Sequence, residues 1–424
     1  MKRREFAQKT SVGLGGLLVS HALLGSLQNR NSNQDSFPDF IVRKLTGGPK
    51  HHFFGYYGIT PWNRSQTQLL SLESDFQDHM PGLNDSAGIG LVDARTGRYE
   101  KITETKAWNF QQGAFMHWNP LKPDSEILYN DRVDDEIVSV FFDINSGKKR
   151  ILPRPVNGIS HNGKYALSLT YGRLGRMRNV VSYANVVDPY ENEPHPDKDG
   201  VFVMDLETGE YKLVVSIKQV YEMLKERHPE LEHKHIWFNH TVFNKNDTRF
   251  FLLARTRDDH SGNLETGMFT AGIDGSDLRE VVPYGSSVSH FDWRNNREII
   301  ATFNQGSHGR RHYHFVDGVN EYKRLGNGSL DFDGHCTFSP DQKWIATDHK
   351  VKETLEQSII LYNFDSDTSK TLATFSMKEK RFITGQLRCD FHPRWNRDGT
   401  AICFDAIDAD SGLRQMHLVE FTDT

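Results

Sequence analysis

His335-Cys-Thr-Phe-Ser-Pro-Asp-Gln-Lys-Trp-Ile-Ala-Thr-Asp348 reads as a short apolar strand, a polar turn and a second apolar strand. The unit recurs along the chain. Residues 243–253, 293–303 and 395–404 repeat it clearly, and weaker copies occupy 59–72, 118–129 and 159–169, which makes seven. Several units close with an outer strand and a polar or glycine-containing turn, as at 88–97, 201–209 and 360–365. His240, His290, His335 and His392 each stand three residues before the aromatic of an inner strand, at intervals of 50, 45 and 57 residues. That is the period of a four-stranded propeller blade, and it is too long for a helical hairpin or a leucine-rich repeat. The expected fold is therefore all-β, a seven-bladed β-propeller with short helical and loop insertions, in which the four imidazoles converge near the axis.

Closed all-β architectures run to 424 residues as one domain, and the abundance of Val, Thr, Tyr, Phe and Trp favours one such domain over 37–424. Propellers commonly close by pairing strands from both chain ends, and 40–45 is the candidate to complete the blade that ends at 418–421. A net charge of -5, with both signs interspersed, argues against a general nucleic-acid binder.

Residues 1–36 read as an export signal and short linker. Lys2-Arg3-Arg4-Glu5-Phe6 precedes a mostly apolar stretch over 12–27, and the paired arginines resemble a bacterial twin-arginine signal, with Ala7-Gln8 where Leu-Lys is usual. The expected location is periplasmic or extracellular. No other segment is long and apolar enough to span a membrane. Three cysteines, Cys336, Cys389 and Cys403, do not make a disulfide framework.

Two insertions interrupt the repeat: a basic, then Pro- and Asp-rich stretch over 171–200, and a helix expected over 217–228. Long loops on a rigid scaffold are where binding surfaces sit.

The position of the four histidines holds Tyr56, Phe115 and Val156 in the first three units. One histidine there can be purely structural; four point to a shared site. Cys389 lies three residues before His392, and a bent strand entry would turn both toward one point. Imidazole with thiolate suits Zn(II), whereas imidazole with carboxylate or amide leaves Mn(II) open. Cys336 should face the opposite side of its strand from His335, and Asp348 and His349 are weaker candidates. A cationic and aromatic set comprises Tyr171, Arg173, Arg255 and Arg257, with aromatics and histidines at 51–57 and 115–117. Guanidinium forks bind carboxylates and aromatic faces stack on sugar rings.

With these residues in view, the repeat at 338–345, the axial histidines and the three-residue spacing before His392 resemble the seven-bladed propeller polysaccharide lyases, above all the oligogalacturonate lyases. The propeller ulvan lyases are a second comparison. The resemblance implies a metal held by histidines and a glutamine in a Gln-x-x-His-x-His pattern, with a further histidine as base. By position His335 and His392 take metal-histidine places, Cys389 stands where the glutamine would be, Arg394 where the final histidine would be, and His290 takes the place of the base. The thiol in place of an amide favours zinc over manganese.

The function so implied is metal-assisted β-elimination on a uronate-containing oligo- or polysaccharide. Its parts are His290 or His240 as base, a divalent metal on His335, Cys389 and His392, Arg255 and Arg173 on the uronate carboxylate, and Tyr171 or water assisting the leaving oxygen. Two alternatives stand beside it. A propeller glycoside hydrolase would use carboxylates such as Asp131, Asp258 and Asp405, although none forms a matched pair. A TolB-like propeller that binds glycan or protein would need no metal.

Overall fold

The unit at 335–348 folds as its pattern requires. Thr337–Phe338 is a two-residue inner strand, and Trp344–Val351 returns antiparallel to it with Thr337 opposite Ala346 and Phe338 opposite Ile345. Between them Ser339 accepts the Trp344 N–H at 3.0 Å and donates to Asp341, a side-chain-closed turn of the kind that Ser and Asp favour. Glu356–Asn363 and Thr368–Ser376 complete the blade. The structure, a computed structural model, describes residues 37–258 and 260–422. Its strands form seven four-stranded antiparallel sheets, so the chain is a seven-bladed β-propeller with few helices.

Six blades are built from consecutive strands and the seventh is shared between the two ends of the chain. Phe40–Lys44 pairs with Arg414–Phe421, in register from Phe40 opposite Phe421 to Lys44 opposite His417. Arg43 clamps the seam with a fork onto Glu420 at 2.7 and 2.9 Å. Inner-strand tryptophans stitch neighbouring blades. The indole N–H of Trp118 donates to the Pro61 carbonyl at 2.7 Å, that of Trp293 to Val242 at 3.1 Å and that of Trp395 to Thr337 at 3.1 Å, each in the preceding repeat. Each indole thus buries a large apolar surface between blades with its one polar atom satisfied.

The two insertions pack differently from their sequence expectation. The stretch after Tyr171 begins with helix α1, Tyr171–Arg178, and continues in a 3-10 turn, Asn179–Val181. Helix α2 spans Ile217–Leu224, opened by a capping box in which Ser216 and Gln219 exchange side-chain and backbone bonds. It ends four residues before the expected 228, where the Arg227 and His228 N–H groups turn back onto the Leu224 carbonyl ahead of Pro229. The export segment expected over 1–36 lies outside the described residues.

Candidate functional site

Inner strands begin near the axis, and the position before each strand sets what lies there. At three of the seven equivalent positions the backbone is left-handed: φ is +47° at Phe115, +57° at His240 and +50° at His392. Non-glycine residues adopt this conformation at a cost of about 1–3 kcal/mol and do so mainly where surrounding structure demands it. At His240 it coincides with a break in register between Asn239 and Thr241, a bulge that re-aims the side chain.

The result is a cavity of about 40 Å³ lined by His240, His290, His335, His392, Arg255, Arg178, Arg388, Asp390 and Gln112, with Tyr56 and Tyr57 beneath. His290 and His335 have ring centroids 3.8 Å apart, and His335 and His392 4.3 Å apart. Tyr57 stacks on His392 at 5.9 Å. His240 stands beside them, stacked on Tyr56 with its Nδ1 2.6 Å from the tyrosine hydroxyl. All four histidines of the repeat therefore meet, as their common phase predicts.

A larger opening of about 470 Å³ lies where the inner strands end, and it shares Tyr56 and Tyr57 as floor. Its wall mixes aromatic rings such as Trp118, Phe338 and Trp395 with polar and aliphatic residues, and Lys245 and Asp292 are paired in it at 3.5 Å. The convergent imidazoles and guanidiniums belong to the smaller cavity, which is where the chemistry can occur.

Each axial histidine has a distinct setting. Asp348 grips His335 twice, both carboxylate oxygens lying 2.9 Å from Nδ1 and one accepting the His335 backbone N–H at 2.8 Å. That places the ring proton on Nδ1 and turns the Nε2 lone pair toward the Asp390 carboxylate at 4.0 Å. His392 Nε2 is 3.9 Å from the same Asp390 oxygen, and its buried Nδ1 has no partner among the described residues. Donor atoms of His335, Asp390 and His392 lie within 4.8 Å of one another. His290 Nδ1 is 2.8 Å from Asp333, which also accepts from Thr302 at 2.8 Å and Arg310 at 2.6 Å. Burial, reinforced by His335, lowers its pKa to about 4, and burial also holds His240 and His392 well below the usual imidazole range.

The donor set is a fit for a divalent ion, and it differs from the expected one. Cys389 is buried but does not line the cavity, and its sulfur is not among the donor atoms that converge there. Successive residues of an extended segment face opposite sides, and the neighbour Asp390 is the one that faces the histidines. Two imidazoles and a carboxylate leave Mn(II) open and remove the argument for zinc that rested on a thiolate. An ion here would share Asp390 with Lys350, which hydrogen-bonds one oxygen, and Arg388, 2.9 Å from the other. Burial and Arg388 push the Lys350 ammonium down to about 8.

Two further expectations are corrected. Arg173 spends its guanidinium on the carbonyls of Ile236, Tyr190, Glu193 and Pro194 and lies 3.7 Å from Asp188, so it pins the insertion and does not reach the cavity. Tyr171 is buried against Tyr183, its hydroxyl accepting from Asn157 at 3.1 Å, also away from the cavity. Arg255 does line it: its Nη2 reaches only the Val288 carbonyl at 3.4 Å, and its Nε has no partner among the described residues. Arg257 turns outward to Met177 and Gly262, and His349 stacks on Phe332. Asp131 holds the Thr105 hydroxyl and the Lys106 N–H of the preceding blade, Asp258 caps a local turn, and Asp405 pairs with Arg394 at 2.7 Å, so none of the three supplies a hydrolytic carboxylate pair. Arg394, where the resemblance expects a histidine, is fully buried in that pair.

No protein-family profile and no curated protein matches the sequence. Among solved structures, an oligogalacturonate lyase in complex with manganese is similar with a TM-score of 0.65 at 15% identity, over 93% of this chain and 96% of the other. The oligogalacturonate lyase of Vibrio parahaemolyticus gives 0.61 at 12% identity, over 91% and 98%. A TolB from Acinetobacter baumannii gives 0.40 at 12% identity, over 83% and 79%. The relation to ulvan lyases raised from the sequence is not shown by these structures. What they establish is that the chain is a seven-bladed propeller with the fold of the oligogalacturonate lyases, matched from end to end of those proteins.

Proposed function

We propose that this chain is a uronate-glycan lyase that breaks the glycosidic C4–O bond by β-elimination. The observation that carries the reading is one cavity holding a neutral, carboxylate-oriented His290, a His335–Asp390–His392 donor group and an Arg255 guanidinium with no counter-ion among the described residues. The C5 proton of a uronate is weakly acidic because the adjacent carboxylate opposes further negative charge, and neutralising that carboxylate is the first requirement. Arg255 meets it with a buried guanidinium fork. His335, Asp390 and His392 would hold the divalent ion, which when bound supplies Lewis-acid stabilisation of the same carboxylate.

His290 is the base. Asp333 holds its Nδ1 side, which leaves Nε2, 3.5 Å from the Ser289 hydroxyl, to take the C5 proton, and burial keeps the ring unprotonated near neutral pH. The electron pair forms the C4–C5 double bond and the C4–O bond breaks. The proton now on His290 passes to the leaving oxygen directly or through a water, while His240, held by the Tyr56 O–H at Nδ1, carries its own proton on Nε2 and donates a hydrogen bond to that oxygen. The manganese in the similar lyase supports a hard ion here. Uronate oligosaccharides are accordingly the substrate class.

The purified full chain, loaded with Mn(II), is assayed on oligogalacturonides, ulvan and other uronate glycans for ultraviolet absorbance of an unsaturated product. Product formation that disappears in His290→Ala is expected. Absence of product with every glycan, while metal binds, refutes the lyase reading. We propose also that residues 1–36 direct the folded chain to the periplasm or beyond, a reading that rests on Arg3-Arg4 and the apolar stretch after them. Replacing both arginines by lysine should retain the chain in the cytoplasm, as read by cell fractionation.

A further inference from the structure

Gln112 is not part of the histidine repeat. It sits on the turn between the first and second blades, where Asn109 and Gly113 pair through both backbone groups at 3.1 and 3.0 Å. Asn109, itself buried, accepts from the Gln111 and Gln112 N–H groups at 2.9 and 2.8 Å and donates to the Ser182 carbonyl at 3.1 Å. One side chain therefore shapes the turn and ties it to the insertion that carries Arg178. Gly55 and Gly113 let the two backbones touch: a Cβ on Gly55 would stand 2.6 Å from the Gly113 nitrogen, and one on Gly113, at φ +57°, 2.4 Å from the Phe54 carbonyl oxygen. The turn is thereby driven down beside Tyr56 at the axis.

What it delivers there is an amide with nothing to bind. Gln112 is 1% exposed and lines the cavity, and neither its oxygen nor its nitrogen has a partner among the described residues. A buried amide left this way destabilises a fold by several times what an average hydrogen bond contributes, so it persists only where something else uses it. Arg178, at the last turn of α1, lines the same cavity and also has neither hydrogen-bond nor ion-pair partner among the described residues. Arg388, by contrast, is bound to Asp390.

We propose that Gln112 and Arg178 form a second recognition subsite, which binds a sugar adjoining the one that loses its proton. An amide with a free donor and a free acceptor matches a ring hydroxyl, which is both, and an unpaired guanidinium matches a carboxylate. The ligand class is a saccharide with two neighbouring uronates, and the inference rests on the lyase reading for what happens next door.

The test uses the Mn(II)-loaded full chain, with trigalacturonate and galacturonate as probes, and Gln112→Met, Gln112→Glu and Arg178→Gln as variants. Three readouts are taken: the melting temperature without sugar, the sugar affinity by calorimetry, and KM and kcat for unsaturated product. Gln112→Met is expected to melt about 1–3 °C higher without sugar, because an orphaned amide is gone. It should bind trigalacturonate roughly 5–10-fold more weakly, and Arg178→Gln roughly 10–100-fold, with KM rising more than kcat falls and galacturonate affinity little changed. Gln112→Glu, isosteric and placed among arginines, should fold and yet bind the anionic trimer less well. Trigalacturonate bound by all variants as by the parent, or a lower sugar-free melting temperature for Gln112→Met, overturns the subsite while leaving elimination by the parent intact. Weaker binding in the variants with no elimination by the parent upholds the subsite and sinks the lyase chemistry instead. A parent that binds neither probe overturns both.

Discussion

Asp348 offers the sharpest perturbation of the proposed metal centre because it acts there through the His335 ring that it orients and the His392 backbone that it holds. Its carboxylate accepts four donors: the His335 ring at 2.9 Å, the His335 N–H at 2.8 Å, the Gln357 amide at 3.0 Å and the His392 N–H at 3.4 Å. Asp348→Asn keeps the shape and turns one oxygen into a donor. Either the new NH₂ faces His335 Nδ1, which then accepts and shifts its proton to Nε2, or it faces Gln357 and the His392 N–H and leaves those donors unpaired. The first outcome removes the metal-directed lone pair, and loss of such orienting partners typically costs 10–100-fold in metal affinity, about 1.4–2.8 kcal/mol. Calorimetric titration of Mn(II) into metal-free protein measures it, with a melting curve alongside. Gln357→Leu is the control: it removes one donor without moving the ring proton, so stability should fall while Mn(II) affinity stays within about threefold. Affinity of Asp348→Asn within twofold of the parent would refute the argument, as would equal losses in the control.

The remaining expectations concern the pair behind the site, the carboxylate anchor, and pH. Asp405→Asn removes the partner of the fully buried Arg394 and weakens acceptance from the Phe54 and Gly55 N–H groups, so a loss of about 3–5 kcal/mol in stability is expected by denaturant titration; a loss under 1 kcal/mol would contradict it. Arg255→Met should abolish uronate binding, and Arg255→Lys should recover only part of it because a point charge cannot match the fork, as read by KM for the unsaturated product. Burial lowers His117 to about 3 and His312 to about 4, so between pH 6.5 and those values the unfolded chain takes up protons that the fold refuses. Stability must therefore fall as pH falls through that window, by up to about 1.4 kcal/mol per unit for each group, and His117→Phe should flatten the slope in melts between pH 7 and 4.5. An unchanged slope in that variant would show that other groups set it.

The propeller was legible because its signal repeats: each blade needs the same strand, turn and strand, and the histidines share a phase with them. The site was legible only as far as that phase extends. His240, His290, His335 and His392 belong to it, and the structure brings them together. Cys389 and Asp390 differ by a single position, and which of them faces the axis depends on how the chain enters the left-handed His392, a dihedral that strand alternation does not encode. Arg173 and Arg178 occupy one helix in a basic run, and only the packing of that helix decides that the first is spent on carbonyls and the second meets the cavity. Gln112 lies between repeats, where neither composition nor spacing marks it. A search for polar residues directly before a glycine in the connection leading to an inner strand would have found it.

The seam in the seventh blade has a consequence for how the molecule is made. Arg43 and Glu420 are 377 residues apart, and joining ends so distant costs about 5 kcal/mol in loop-closure entropy before any contact rewards it. Phe40–Lys44 is synthesised first among the described strands and must wait for the last one, with Ile41 and Val42 still half exposed in the finished fold. During that wait it is an unpaired edge, open to the Arg414–Phe421 strand of any chain nearby. At high concentration the seam can close between two molecules instead of within one, giving a dimer in which each chain lends its first strand to the other's last blade.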